Sequence, residues 1–177
     1  MNIWHDIAPV RIQRENFISV IEIQKGSKSK YELDKETGRL RLDRVLYTST
    51  VYPANYGFIP RTYAEDNDPL DVLVICSESI FPLTLVECYP IGVIKMVDDE
   101  QRDEKIIAIP FGDPMYNGYR DITALPTHVQ EEMTHFFQVY KSLEHKVTTV
   151  HEVSGRSDAI RIIGEAMDRY NELFPQE

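Results

Sequence analysis

Cysteine is nearly absent: Cys76 and Cys88 are the only two in 177 residues, too few for a disulfide framework. Cys76 sits in an apolar run, so the pair reads as two buried free thiols in a reducing compartment. Basic residues are also short, with 19 Lys and Arg against 29 Asp and Glu and a formal charge of -10. That balance excludes non-specific nucleic-acid binding, which needs clustered cations to displace counterions from phosphates. No apolar run approaches membrane-spanning length, and the N-terminal Met1-Asn2-Ile3-Trp4-His5-Asp6 carries neither a basic head nor a long apolar stretch. A soluble, cytoplasmic protein with no membrane contact is expected. Linker-like tracts and repeats are missing too, so residues 1–177 read as a single domain.

Several nucleotide-binding and catalytic motifs are absent as well. There is no Gly-x-x-x-x-Gly-Lys-Ser/Thr loop, no Gly-x-Gly-x-x-Gly and no Gly-x-Ser-x-Gly elbow. The histidines (His5, His128, His135, His145, His151) form no His-Glu-x-x-His pair, and His128 and His135, two helical turns apart, read as surface or packing residues.

What is present is acid in clusters. Asp66-Asn67-Asp68-Pro69-Leu70-Asp71 sets three carboxylates within six residues, just before Val72-Leu73-Val74-Ile75. An extended chain puts Asp66 and Asp68 on one side, and Pro69 bends the path so that Asp71 converges with one of them. Such an open oxygen set suits magnesium, which keeps waters and takes a few carboxylates plus substrate phosphate. It does not suit an EF-hand, since Leu70 and Asp71 stand where a ligand and Gly are needed. The plainer alternative is a turn before a buried strand. A second run, Asp98-Asp99-Glu100-Gln101-Arg102-Asp103-Glu104-Lys105, reads as a solvated hairpin loop or as a partner to the first cluster. In the latter case Asp66, Asp68, Asp71, Asp98 and Asp103 hold two or more metals around a water that ionises near neutral pH.

Residues 17–24 are apolar on both alternating sets, with Glu22 the exception, as in a strand buried on most of its surface. A Gly26 turn leads into a hairpin of residues 30–34 and 40–44 through Thr37-Gly38. Further strands are expected at 71–76, 84–88, 91–97 and 105–109. One helix follows Pro126, with a Thr127/Gln130 capping box and a stripe of Val129, Met133, Phe136, Tyr140 and Leu143. Another starts near Ser157-Asp158 with Ile160, Ile163, Met167, Tyr170 and Phe174. Strands first and helices last indicate an α+β, mainly β fold, a small closed barrel with C-terminal helices. Lys30, Arg44, Lys105 and Lys141, with the hydroxyls of Tyr56 and Tyr140, form a mixture that can bind phosphate, though for any single lysine a surface ion pair is the plainer reading.

The chain resembles the soluble family I inorganic pyrophosphatases. Residues 66–72 match that family's signature Asp-x-Asp-Pro-x-Asp plus an aliphatic residue. Ordered blocks extend the likeness: Ile21-Glu22-Ile23, Lys30-Tyr31-Glu32, Leu42-Asp43-Arg44, residues 52–60, residues 98–105 and Tyr140-Lys141-x-Leu143-Glu144. The resemblance implies an OB-like five-stranded barrel, magnesium-dependent hydrolysis of pyrophosphate with several ions per site, and a homohexamer. It further implies that Asp66, Asp71 and Asp103 hold a first metal, that Asp71 bridges to a second, and that Asp98 and Asp103 bind a substrate-associated one. Glu22 acts on a further metal through water with Glu32 beside it. Asp68 takes a proton from the attacking water. Lys30, Arg44, Tyr140 and Lys141 grip phosphate, with Tyr56 near the attacking side. Asp99, Gln101-Arg102, Val139 and residues 145–150 depart from the family pattern. The rival reading is a non-catalytic OB-fold binding module with structural cations in its acidic loops.

Overall fold

The structure, a computed structural model, describes residues 2–175. A one-turn helix, α1 (Ile3–Asp6), precedes strand β1 (Phe17–Ile23), the hairpin β2 (Ser29–Asp34) and β3 (Arg39–Val45), and strands β4 (Asn55–Phe58) and β5 (Asp71–Val74). The long strands β6 (Leu85–Asp98) and β7 (Gln101–Pro110) follow, then helix α2 (Thr127–Val139), strand β8 (Thr148–Gly155) and helix α3 (Arg156–Leu173).

Five strands close a ring in the order β1, β4, β5, β7, β6 and back to β1, with β8 added to the free side of β6. Among the described residues only β5 and β7 are parallel. Closure depends on β6, whose first residues pair with β1 while its remainder runs beside β7 and β8. This is the small closed barrel with C-terminal helices expected from the strand pattern, in the OB-like five-stranded form that the resemblance implies. Hairpin β2–β3 stands outside the ring as its own two-stranded sheet. A side chain of the barrel ties it down: Glu22 Oε1 accepts the Leu33 N–H at 2.8 Å.

The period of two sorts the core into opposite faces. Along β5, Val72 and Val74 join one cluster and Leu73 another, and in β7 Ile106 and Ala108 separate likewise from Ile107 and Ile109. Helix α2 adds Met133, Phe136 and Phe137 to the face holding Leu73. Helix α3 covers the other with Ala159, Ile162, Ile163 and Ala166. Each large aliphatic side chain so buried contributes roughly 1.5–3 kcal/mol. Where β4 crosses β1, only Gly57 fits, because a Cβ there would lie 1.8 Å from the Val20 carbonyl oxygen.

Several local expectations are corrected. The segments 84–88 and 91–97 are one strand, with a register shift between Pro90 and Gly92 that absorbs the missing proline N–H. The acidic run is no loop: Asp99 and Glu100 alone make the turn, at φ +46° and +65°, and Gln101 onward is already β7. Two positive-φ residues give the turn the twist that a two-residue hairpin needs. Strands β4 and β8 escaped the reading, β4 because four residues with Asn and Gly look like a turn. The capping box does not form, since Pro126 occupies the N-cap and Gln130 Nε2 donates instead to the Ile122 carbonyl. Helix α2 also stops before Leu143, which is exposed. In α3 Ile163 and Tyr170 are buried as expected, but Ala159, Ile162 and Ala166 complete the stripe, while Ile160 and Met167 are half-buried and Phe174 is exposed. Cys88 is buried, whereas Cys76 is only partly so; both are free. His128 and His135 are exposed, as read from their spacing.

Candidate active site

A cavity of about 590 Å³ lies between the barrel and the inner side of hairpin β2–β3. Barrel strands deliver Glu22 from β1, Tyr56 from β4, Asp71 from β5, Asp98 from β6, and Asp103 and Lys105 from β7. The loop before β5 adds Asp66 and Asp68, the end of α2 adds Tyr140 and Lys141, and β2 adds Lys30 and Glu32. All of the expected site residues except Arg44 therefore line one space.

Strand register explains the centre. Asp71 and Lys105 are paired across the parallel β5–β7 ladder, and Asp103, two residues before Lys105, shares its face. The Lys105 ammonium, 2 % exposed, donates to Asp71 Oδ2 at 2.8 Å, Tyr56 OH at 2.9 Å and Asp103 Oδ1 at 3.0 Å. Those three partners use all its protons. Burial opposes this charge, but attraction to Asp103 and then Asp71 outweighs it and holds the Lys105 pKa well above its ordinary value. Burial pushes Asp103 up, with Lys105 offsetting only part of that cost. Burial, then Asp71, raises the Tyr56 phenol, and burial likewise raises that of Tyr140, so both remain neutral donors at physiological pH.

Around this centre three outer acids each meet a lysine: Lys30 contacts Glu32, Lys35 contacts Asp68 and Lys141 contacts Asp98. Arg44 instead sends its guanidinium to Asp43 Oδ2 at 2.5 Å and Glu144 Oε1 at 2.8 Å, outside the cavity lining. On β3 it is paired with Lys30, whose ammonium does reach the cavity. Sequence reasoning missed the outer part of the hairpin. Tyr31, Asp34, Lys35, Glu36 and Arg41 also face the cavity. Residues from both alternating sets of β2, Tyr31 and Leu33 as well as Lys30, Glu32 and Asp34, border it, and the register shift leaves Asp43 of β3 without a partner. The usable signal was the charge density of residues 30–36.

Among the described residues, no three carboxylate, His or Cys side chains converge as a ready-made metal cage, because lysines stand between the acids. The donor set nevertheless fits divalent cations. Nine carboxylates face five cationic side chains in the lining. The Glu22 carboxyl is pushed up to about 8, chiefly by burial and then by Asp71 and Glu32 against the Leu33 N–H and Lys30. Asp66 is pushed up to about 6 by burial and the neighbouring Asp71, Asp103 and Asp68. Asp98 Oδ1 is buried without a hydrogen-bond partner among the described residues. Bound cations relieve all three conditions. Crowded hard oxygens, ammonium groups and two neutral phenols on a barrel mouth suit a compact polyanion accompanied by divalent cations.

Comparison with known proteins agrees. The inorganic pyrophosphatase family model matches residues 19–171. Soluble inorganic pyrophosphatase 2 of Chlamydomonas reinhardtii is 47% identical over 97% of this chain and 89% of its own length, and soluble inorganic pyrophosphatase 1 of Arabidopsis thaliana 46% identical over 97% and 81%. The inorganic pyrophosphatase of Thermus thermophilus superposes with a TM-score of 0.89 at 36% identity, covering 97% of this chain and 99% of that one. That of Helicobacter pylori gives 0.90 at 39%, covering 94% and 99%. The chain belongs to the soluble inorganic pyrophosphatase family.

Proposed function

We propose that this chain hydrolyses pyrophosphate to two orthophosphates with magnesium as the cofactor, at the cavity between barrel and hairpin. The observation that carries the reading is the lining itself, in which carboxylates outnumber cations yet enclose ammonium and phenol donors suited to phosphate oxygens. Asp66, Asp71, Asp98 and Asp103, with Glu22 and Glu32, are the residues that would hold several magnesium ions. Bound magnesium neutralises phosphate charge and makes water a nucleophile at neutral pH.

The chain's own groups do the rest. Asp68 accepts a proton as the water oxygen bonds to one phosphorus and the bridging P–O bond breaks, the second phosphate departing with the electron pair. Lys30, Lys141 and Tyr140 grip phosphate oxygens, and Tyr56 stands at the attacking side. Lys105 sets the placement of Asp71, Asp103 and Tyr56 and adds positive charge facing the substrate. Arg44 joins the substrate on giving up Asp43, which its position beside Lys30 supports. On the same reading the chain works as one domain and as a homohexamer in the cytoplasm, a view supported by family membership and by two free thiols.

Phosphate release by the purified protein tests this, with magnesium against chelator and a nucleoside triphosphate as competing substrate. Magnesium-dependent release confined to pyrophosphate is expected. No release with any divalent metal, together with salt-sensitive binding of single-stranded oligonucleotide, would replace the enzyme by a binding module.

A further inference from the structure

The loop that carries Asp68 is fastened to the N-terminal helix through Thr62, beside the Arg61 N–H donated to the Trp4 carbonyl at 3.0 Å. Thr62 accepts the Trp4 indole N–H on its carbonyl at 2.9 Å, while its hydroxyl oxygen accepts the Leu70 N–H at 2.9 Å. Trp4 is buried and stacked on His5 and Tyr63. The tip of hairpin β2–β3 reaches the same helix: Asn2 Nδ2 donates to the Lys35 carbonyl at 3.1 Å, and the Lys35 ammonium sits 5.1 Å from the centre of the Trp4 ring. From there it contacts Asp68 Oδ1. Asp68 Oδ2 makes no hydrogen bond to another described residue. Lys35 therefore links a fixed aromatic face to one oxygen of the carboxylate and leaves the other free.

We propose that Lys35, steadied by Trp4 and Asn2, is a positioning residue for Asp68, and that helix α1 thereby belongs to the catalytic apparatus. The inference rests on the reading of Asp68 as the proton acceptor. Both side chains are about half exposed, so the contact adds little to global stability. Its effect lies in orientation, where a small misplacement of a reacting group lowers the rate by one to two powers of ten. Trp4 contributes by cation–π attraction, which restricts where the long lysine stem can place its charge.

A mutant cycle in the full-length, magnesium-loaded protein tests it, using Lys35→Met, Asp68→Asn, the double variant and Lys35→Arg. The expected result is a roughly tenfold lower kcat for Lys35→Met with KM changed less than twofold and Tm unaltered, partial recovery in Lys35→Arg, and no further loss when Lys35→Met is added to Asp68→Asn. A raised KM at unchanged kcat would make Lys35 a rim charge for substrate and overturn the proposal. Equal, additive losses in both backgrounds would overturn it too, since Lys35 would then act elsewhere. Full activity in Asp68→Asn marks failure of the parent reading instead, while a slow Asp68→Asn beside a normal Lys35→Met is failure of this inference alone.

Discussion

Lys105 and Asp71 face each other across the one parallel pair of the barrel, 2.8 Å apart, with the lysine 2 % exposed. This cation is what allows Asp71 and Asp103 to share so small a space. Removing one member of a buried pair leaves uncompensated charge and typically costs about 3–5 kcal/mol. Lys105→Met, which keeps the stem and deletes the ammonium, should lose that much in urea unfolding of the metal-free protein at neutral pH. A loss near 1 kcal/mol, the scale of an exposed pair, would mean that water already compensates the two acids.

How far this arrangement shows in the sequence depends on the range of the interactions. The acids of residues 66–71 stand out because local turn chemistry and the following apolar run set them in place, and the barrel follows from β-rich segments preceding two amphipathic helices. The pairing of Asp71 with Lys105 does not show, because it is set by a parallel ladder between residues 34 apart. Nor does the direction of Arg44: its strand was foreseen, but Glu144, at the far end of the chain's α2 region, decides where the guanidinium points. Lys35 was hidden for a similar reason, since its partners Trp4 and Asp68 come from two distant segments. The acidic turn misled because charge suggests solvent, whereas Gln101 to Lys105 are held in register against β6 as far as Ile94.

Gly57 gives a sharp test of the ring. Its missing Cβ is replaced by the Val20 carbonyl oxygen of the neighbouring strand, 1.8 Å from where that atom would stand. A backbone oxygen committed to a barrel ladder cannot swing aside as a flexible side chain does. Gly57→Ala should force β1 and β4 apart beside Tyr56, destabilising by at least about 3 kcal/mol, at the upper end for overpacking. Thermal unfolding measures the loss. A variant with wild-type Tm would show that the two strands separate easily and that β1 is held by β6 alone.

The pH response of the metal-free protein should carry the signature of Glu22. Burial is the main cause that raises its carboxyl from 4.5 to about 8, and Asp66 rises from 3.8 to about 6 for the same first reason. A folded-state pKa above the unfolded one means that the native chain binds the extra proton, so this contribution is complete below the unfolded value and disappears as pH climbs through the folded one. For Glu22 the window is pH 4.5 to about 8, with a slope of at most about 1.4 kcal/mol per pH unit. Asp121 works in the opposite direction: burial raises it, but N–H groups of Arg156 and Thr123 prevail and lower it, so its stabilisation disappears only as pH falls below the ordinary Asp range. Stability of the chelated protein should therefore peak in mild acid and decline toward pH 8. Glu22→Gln keeps an acceptor for the Leu33 N–H while removing the charge, and should flatten that decline in urea midpoints taken at pH 5, 6.5 and 8. An unchanged slope in the variant would assign the decline to other groups and leave Glu22 with an ordinary, hydrated carboxylate.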